Sequence, residues 1–304
     1  MKLGFVSAIL DGWTFEEMMD TAAGLGYECV EAACWPQGKA ERRYAGVSHI
    51  DVDNDSRGYV AHIHETCKKT GVEISALAYY PNTMDGDFQK REDAIRHLKK
   101  VIAFSEKLGI GMVTTFVGRD QTKSVEENLE AFGRIWPPII RYAEEHGVRI
   151  AIENCPMLFG REQWPGGHNL FTSPALWRKM FDMIPSRNFG INYDPSHFVW
   201  QMMDYIQPIY EFRERIFHVH YKDIKVYPQK LKDVGIMAYP LEYMEPKLPG
   251  LGDVDWGRYV SALTDIGYDG FTCVEVEDRA FESDRERILD SLKLSKRYIE
   301  QFVI

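Results

Sequence analysis

Three times in the first half of the chain an amphipathic run ends in glycine and a β-rich run begins at once, at Gly26-Tyr27, Gly109-Ile110 and Gly147-Val148. Glycine takes the left-handed conformation that stops a helix. A strand starting directly afterwards therefore reads as the next turn of a repeating strand–helix unit. Short β-rich segments alternating with longer helical ones imply a parallel sheet, because parallel neighbours need a crossover that a helix supplies. Eight such units can be laid along the sequence, with strands expected at 3–8, 29–33, 72–78, 112–116, 148–152, 189–193, 216–220 and 270–274. Helices are expected at 14–25, 56–70, 90–108 and 124–146, from Ser173-Pro174, from Trp256, and at 284–302. Pro137-Pro138 should interrupt or kink the fourth, since each proline removes an amide donor. Eight βα units predict a (β/α)8 TIM barrel, and 304 residues accommodate it as a single domain spanning 1–304. Long βα loops are expected at 34–52, 156–172 and 224–249, the last with Pro228, Pro240, Pro246 and Pro249, as a lid or a homo-oligomer contact.

Charge and cysteine usage narrow the partners. A formal net charge of −10 works against binding a polyanion broadly, since lysine and arginine supply most non-specific nucleic-acid affinity. No apolar stretch approaches the roughly 20 residues of a membrane span. The opening run is too soon interrupted by Asp11 for a signal peptide. The five cysteines are scattered without a Cys-x-x-Cys pair and read as reduced core residues of a cytoplasmic protein. A small polar ligand is the expected partner, with neither nucleic acid nor membrane.

Chemistry on such a barrel sits at the carboxyl ends of the strands. Glu153, Asp194, His220 and Glu275 stand there on the fifth to eighth strands. Three carboxylates and an imidazole suit one divalent ion: Mn²⁺ first, with Mg²⁺, Co²⁺ and Zn²⁺ as alternatives. Carboxylates so grouped without a cation would raise one another's pKa. His218, two residues before His220, is expected as a hydrogen-bonded core residue, and Asp223 as a group orienting His220 or Lys222 from behind. His168 follows the Glu153 strand in a glycine-rich loop, and Trp164 in the same loop offers an aromatic face on which a ligand ring could stack. Both are candidate substrate contacts, as is Lys222.

The motifs Ile152-Glu153-Asn154, Asp194-Pro-Ser-His197, His218-Val-His220-Tyr-Lys-Asp223, Pro249-Gly-Leu-Gly252-Asp-Val-Asp255-Trp256 and Val274-Glu275-Val-Glu277-Asp278 resemble the xylose isomerase-like TIM-barrel superfamily over nearly the whole chain. The likeness is to its sugar isomerase and epimerase branch, which contains the ketose 3-epimerases. That resemblance implies Glu153, Asp194, His220 and Glu275 as metal ligands, Glu153 and Glu275 as acid and base on opposite sides of a sugar, and His197 holding a substrate oxygen. The implied reaction is proton removal beside a carbonyl, through an enediolate. The chain departs from the epimerases at Phe159, where they carry a second glutamate, and at Val226, where they carry arginine. Sugar specificity therefore does not transfer. A lyase or hydratase acting on 3-oxo-glycosides, C-deglycosidases included, is the expected rival. An apurinic endonuclease is remote, since Tyr79-Tyr80-Pro81 and Phe116-Val-Gly118 stand where those enzymes carry extra histidines.

Overall fold

The computed structural model describes residues 1–38, 44–158, 161 and 164–303. Eight parallel strands close into a barrel: β1 (Lys2–Val6), β2 (Cys29–Ala33), β3 (Glu73–Ala78), β4 (Met112–Thr115), β5 (Arg149–Glu153), β6 (Phe189–Tyr193), β7 (Ile216–Tyr221) and β10 (Phe271–Val274). They lie side by side in that order, and β10 pairs back onto β1 through Gly4–Cys273 and its neighbours. The second and sixth strands begin and end where the sequence predicts, and the others shift by one or two residues.

The helices are punctuated locally. The first, α1 (Phe15–Leu25), opens on a reciprocal cap between Thr14 and Glu17 and stops at Gly26, whose φ is 75°. α2 (Arg57–Thr70) stops likewise at Gly71, and α3 (Phe88–Lys107) opens on the Asp87 carboxylate. The predicted interruption at Pro137-Pro138 does not occur: α4 runs unbroken over Val125–Glu145. Its apolar face, with Phe132, Trp136, Ile139, Ile140 and Ala143 buried, continues across the prolines, and Trp136 donates its indole N–H to the Val117 carbonyl. Packing of that face outweighs the missing amide hydrogen bonds.

α5 (Pro174–Met183), the short α6 (Ser196–Trp200) and α7 (Gln207–Glu211), α9 (Trp256–Asp265) and α10 (Arg285–Ile299) complete the outer layer. No helix among the described residues is long and apolar enough to cross a membrane. β2, β6 and β7 are buried along their whole lengths. Any charged group on them must find its partner inside the protein.

The 224–249 segment is a folded excursion. β8 (Asp223–Val226) pairs antiparallel with β9 (Met244–Lys247), and α8 (Pro228–Val234) lies between them. Proline at 246 is tolerated because a two-stranded ribbon has free edges. The expected role of Asp223 needs correction, because it anchors this excursion and orients neither His220 nor Lys222. Its Oδ1 accepts from the amides of Ile224 (2.8 Å) and Val254 (3.1 Å), and its Oδ2 from the Gly250 amide and the Trp256 indole, both 2.9 Å. Position 252 must be glycine, since a Cβ there would meet Asp223 Oδ1 at 2.3 Å. Ile224, Tyr243 and Met244 pack on Trp200, so the excursion has a small apolar core of its own beside α6.

Candidate metal centre and active site

Glu153 ends β5, Asp194 follows β6, His220 is the penultimate residue of β7 and Glu275 follows β10. The structure brings all four together: one donor atom from each lies within 4.8 Å of every other. His220 Nδ1 stands 3.3 Å from a Glu275 oxygen and 3.8 Å from Glu153 Oε1. Glu153 Oε1, Asp194 Oδ2 and His220 Nδ1 are buried with no hydrogen-bond partner. Lys222 and His197 stand near the two carboxylate oxygens, yet none of the three atoms makes a directed hydrogen bond, and their convergence points to a ligand that binds them together. Three carboxylates and an imidazole nitrogen fit a divalent cation.

Side-chain amides hold these groups in position. Asn154 donates from Nδ2 to the Asp194 carbonyl (2.9 Å) and accepts the Asp194 amide on Oδ1 (2.8 Å), extending the β5–β6 ladder past the strand ends. Asn169 donates to the carbonyls of Glu153 (2.9 Å) and Cys155 (2.8 Å) and accepts the amides of Val117 and Gly118.

Behind His220 stands a residue absent from the sequence reading. Glu31, in the middle of β2 and fully buried, takes the His220 Nε2–H at 2.6 Å, the Tyr80 hydroxyl at 2.5 Å and the Thr114 hydroxyl at 2.8 Å. The bond orients the ring and turns Nδ1 toward Glu153 and Glu275, the side on which a cation would be held. Burial would raise the Glu31 carboxyl, but the charge and hydrogen bond of His220, with His218 and Tyr80, bring it down to about 2. The β2–β3 register slips between Val30 and Glu31, and the β6–β7 register between Ile191 and Asn192. Such irregularities re-aim side chains, and here they turn Glu31 and Asn192 toward the two histidines. His218, as expected, is a core residue, bonded through its ring nitrogens to Asn192 (3.1 Å) and Ser75 (3.0 Å).

Lys222 lies inward among carboxylates. Its buried ammonium is 2.8 Å from Glu275, 3.1 Å from Asp194, 3.3 Å from Glu277 and 3.7 Å from Glu153. Burial opposes its charge, yet these neighbours hold it protonated well above the usual lysine value. Burial likewise opposes the charged forms of Glu153 and Asp194, but Lys222 and the histidines keep Glu153 well below the carboxylate range and Asp194 at about 2. For Glu275, burial and the charges of Glu153 and Glu277 outweigh Lys222, and its carboxyl is raised.

The sequence matches the family model of the xylose isomerase-like TIM barrel over residues 19–298. The chain belongs to that family. This xylose isomerase-like protein is 24% identical to the Bacillus subtilis uncharacterized protein YfiH, over 99% of this chain and all of the relative. It is 27% identical to an inosose dehydratase of Lactiplantibacillus plantarum, over 78% of each chain. Among solved structures it resembles the IolI protein with a bound zinc atom (TM-score 0.73, 18% identity, 99% of both chains covered). It also resembles a D-psicose 3-epimerase with D-tagatose from Clostridium cellulolyticum H10 (TM-score 0.68, 15% identity, covering 100% and 99%).

The remaining sequence candidates of this xylose isomerase-like barrel fall in different places. His197, on α6, lies at the cluster, with Nε2 3.2 Å from Asp194 and 3.5 Å from Glu153. The Trp164 indole donates to the Met237 carbonyl (2.9 Å) and the ring packs against Trp200, so its recorded partners belong to α6 and the 224–249 excursion. The His168 ring meets the Asn82 amide at 3.4 Å. Phe159 lies outside the described residues. Tyr80 and Phe116 pack together at the ends of β3 and β4 against Trp35, Cys155 and Met157, giving the mouth an apolar half opposite its ionic one.

Proposed function

We propose that this protein is a divalent-metal-dependent enzyme that removes a proton from the carbon beside a carbonyl in a sugar or sugar-like ketone and returns it, as an isomerase or epimerase. The observation that carries this reading is the convergence of the unpaired Glu153, Asp194 and His220 atoms with Glu275. Glu153, Asp194, His220 and Glu275 would hold the ion, Mn²⁺ by preference with Mg²⁺, Co²⁺ or Zn²⁺ as alternatives; when bound, it polarises the substrate carbonyl and stabilises the negative charge of the enediolate. Glu153 and Glu275 arrive from β5 and β10, with β6 and β7 between them, so their carboxylates approach a ligand from different sides. One takes the proton and the other returns it to the opposite face, which inverts the carbon. His197, buried with both ring nitrogens unpaired, supplies a hydrogen bond to a substrate oxygen.

A second reading is a dehydratase or lyase, favoured by the Lys222 ammonium 2.8 Å from Glu275. Such a group can offset the negative charge that develops on a departing hydroxyl after the same first step. The relatives named inosose dehydratase agree with it.

The test is a panel of free ketoses, sugar phosphates, inososes and 3-oxo-glycosides in deuterated water with Mn²⁺, read by mass spectrometry. Epimerisation adds one deuterium and leaves the mass otherwise unchanged, whereas a dehydratase product is lighter by water. Glu153→Gln and Glu275→Gln should each slow incorporation by about 10²- to 10⁴-fold, the usual contribution of a positioned acid or base. Product formed without label would refute the proton mechanism.

A further inference from the structure

Two residues beyond Glu153 on one strand end, and three beyond Asp194 on the next, stand Cys155 and His197. A Glu153 oxygen, the Cys155 sulfur and a His197 nitrogen all lie within 4.8 Å of one another. His197 is 7% exposed and neither ring nitrogen has a hydrogen-bond partner. Cys155 is half-buried, and the chain doubles back on it: Met157, at φ 56°, brings its amide to 3.4 Å and its thioether sulfur to 3.2 Å from Cys155 Sγ. Thiol, imidazole and carboxylate thus meet one step outside the four-residue cluster, with Glu153 common to both sets.

We infer that Glu153, Cys155 and His197 form a second, thiophilic cation site, taking Zn²⁺ in preference to Mn²⁺ or Mg²⁺. Sulfur and nitrogen donors select zinc, while oxygen-rich sets favour harder cations, so the two positions differ in the metal they prefer. Donors around a tetrahedral zinc at about 2.0 to 2.3 Å lie roughly 3.5 Å apart, so separations within 4.8 Å need a contraction of at most about 1.3 Å. Three protein donors leave a coordination position open, as exchangeable and catalytic zinc sites do. The inference rests on the ends of β5 and β6, independently of the reaction proposed above. An ion bound here occupies His197 and one Glu153 oxygen together, so zinc at this site competes with substrate.

Cobalt is the probe, because a cobalt–thiolate bond gives a near-ultraviolet charge-transfer absorption that oxygen and nitrogen ligands lack. Titrating metal-stripped protein with Co²⁺ should bind a second equivalent accompanied by that band. Cys155→Ser should remove the band and the second equivalent while keeping the first, and His197→Gln should weaken the band-forming step by at least tenfold. In the unsubstituted chain, Zn²⁺ should also slow alkylation of Cys155, followed by peptide mass spectrometry, while leaving that of half-buried Cys67 on α2 unchanged. A single equivalent without the band, a band that survives Cys155→Ser, or alkylation of Cys155 indifferent to zinc overturns the inference. Failure of the four-residue centre reads differently: Cys155→Ser would bind no cobalt, while the unsubstituted chain would still show the band.

Discussion

Replacing Glu31 by glutamine keeps the side-chain shape and removes one buried charge. The contact of this carboxylate with the four-residue centre is the 2.6 Å bond to His220 Nε2. A hydrogen bond to a charged partner contributes roughly 1.5 to 3 kcal/mol. Loss of a group that orients a metal-bound histidine costs about 10- to 100-fold in metal affinity. Both estimates agree on about 2 kcal/mol, or roughly a 30-fold rise in Kd. Calorimetric titration of metal-stripped protein with Mn²⁺ would measure it, with Tyr80→Phe as the graded control. That change removes one hydroxyl donor to the same carboxylate (2.5 Å) and should weaken binding by about 1 kcal/mol or less. Equal Mn²⁺ affinity in Glu31→Gln and the unsubstituted protein would refute the argument that this carboxylate works through His220. So would a Tyr80→Phe effect larger than that of Glu31→Gln.

His197→Ala should raise KM or lower kcat in steady-state assays of whichever panel substrate reacts, while Mn²⁺ still binds to the four-residue centre in calorimetry. His49 tests the fold: its Nε2 pairs with the Leu10 carbonyl at 3.1 Å and its Nδ1 with the Ser7 hydroxyl at 3.0 Å, and burial lowers its pKa from about 6.5 to about 4. The unfolded chain therefore takes up this proton first, so the contribution is complete above about pH 6.5, falls by about 2 kcal/mol at pH 5, and levels off below pH 4. Urea unfolding of His49→Gln should lose about that much of the difference between pH 7 and pH 5, and an unchanged difference would contradict the assignment. Asp223→Ala should free the 224–249 excursion, seen as faster amide exchange over 224–247 with β1 to β7 still protected; uniform protection would show that Asp223 does not anchor it.

The barrel was legible because its signals are local. Glycine after α1 and α3 and period-two apolar runs each declare themselves within a few residues. Glu153, Asp194, His220 and Glu275 stood out because they break apolar runs at the ends of strands. Glu31 did not, because a charge inside Cys-Val-Glu-Ala-Ala reads as one polar position of a half-exposed strand. What turns it inward is a register slip against β3, and its partners lie 49, 83 and 189 residues away. The excursion was hidden for a related reason: Met-Glu-Pro-Lys has no strand alternation, and its pairing depends on hydrogen bonds to Asp223 and Asp253 that no nearby residue announces. The surroundings of Lys222 were equally hidden, because nothing local reveals that carboxylates from three other strand ends surround it.

The amides of Asn154 and Asn169 carry hydrogen bonding beyond the last rungs of the sheet, so Glu153 and Asp194 are held by the barrel wall before any loop begins. Reactivity and recognition are thereby inherited as separate parts. The loops over the mouth can lengthen, shorten or exchange their aromatic residues without disturbing where Glu153 and Asp194 stand. A barrel of this kind can diversify as a tool with a fixed shank and replaceable bits.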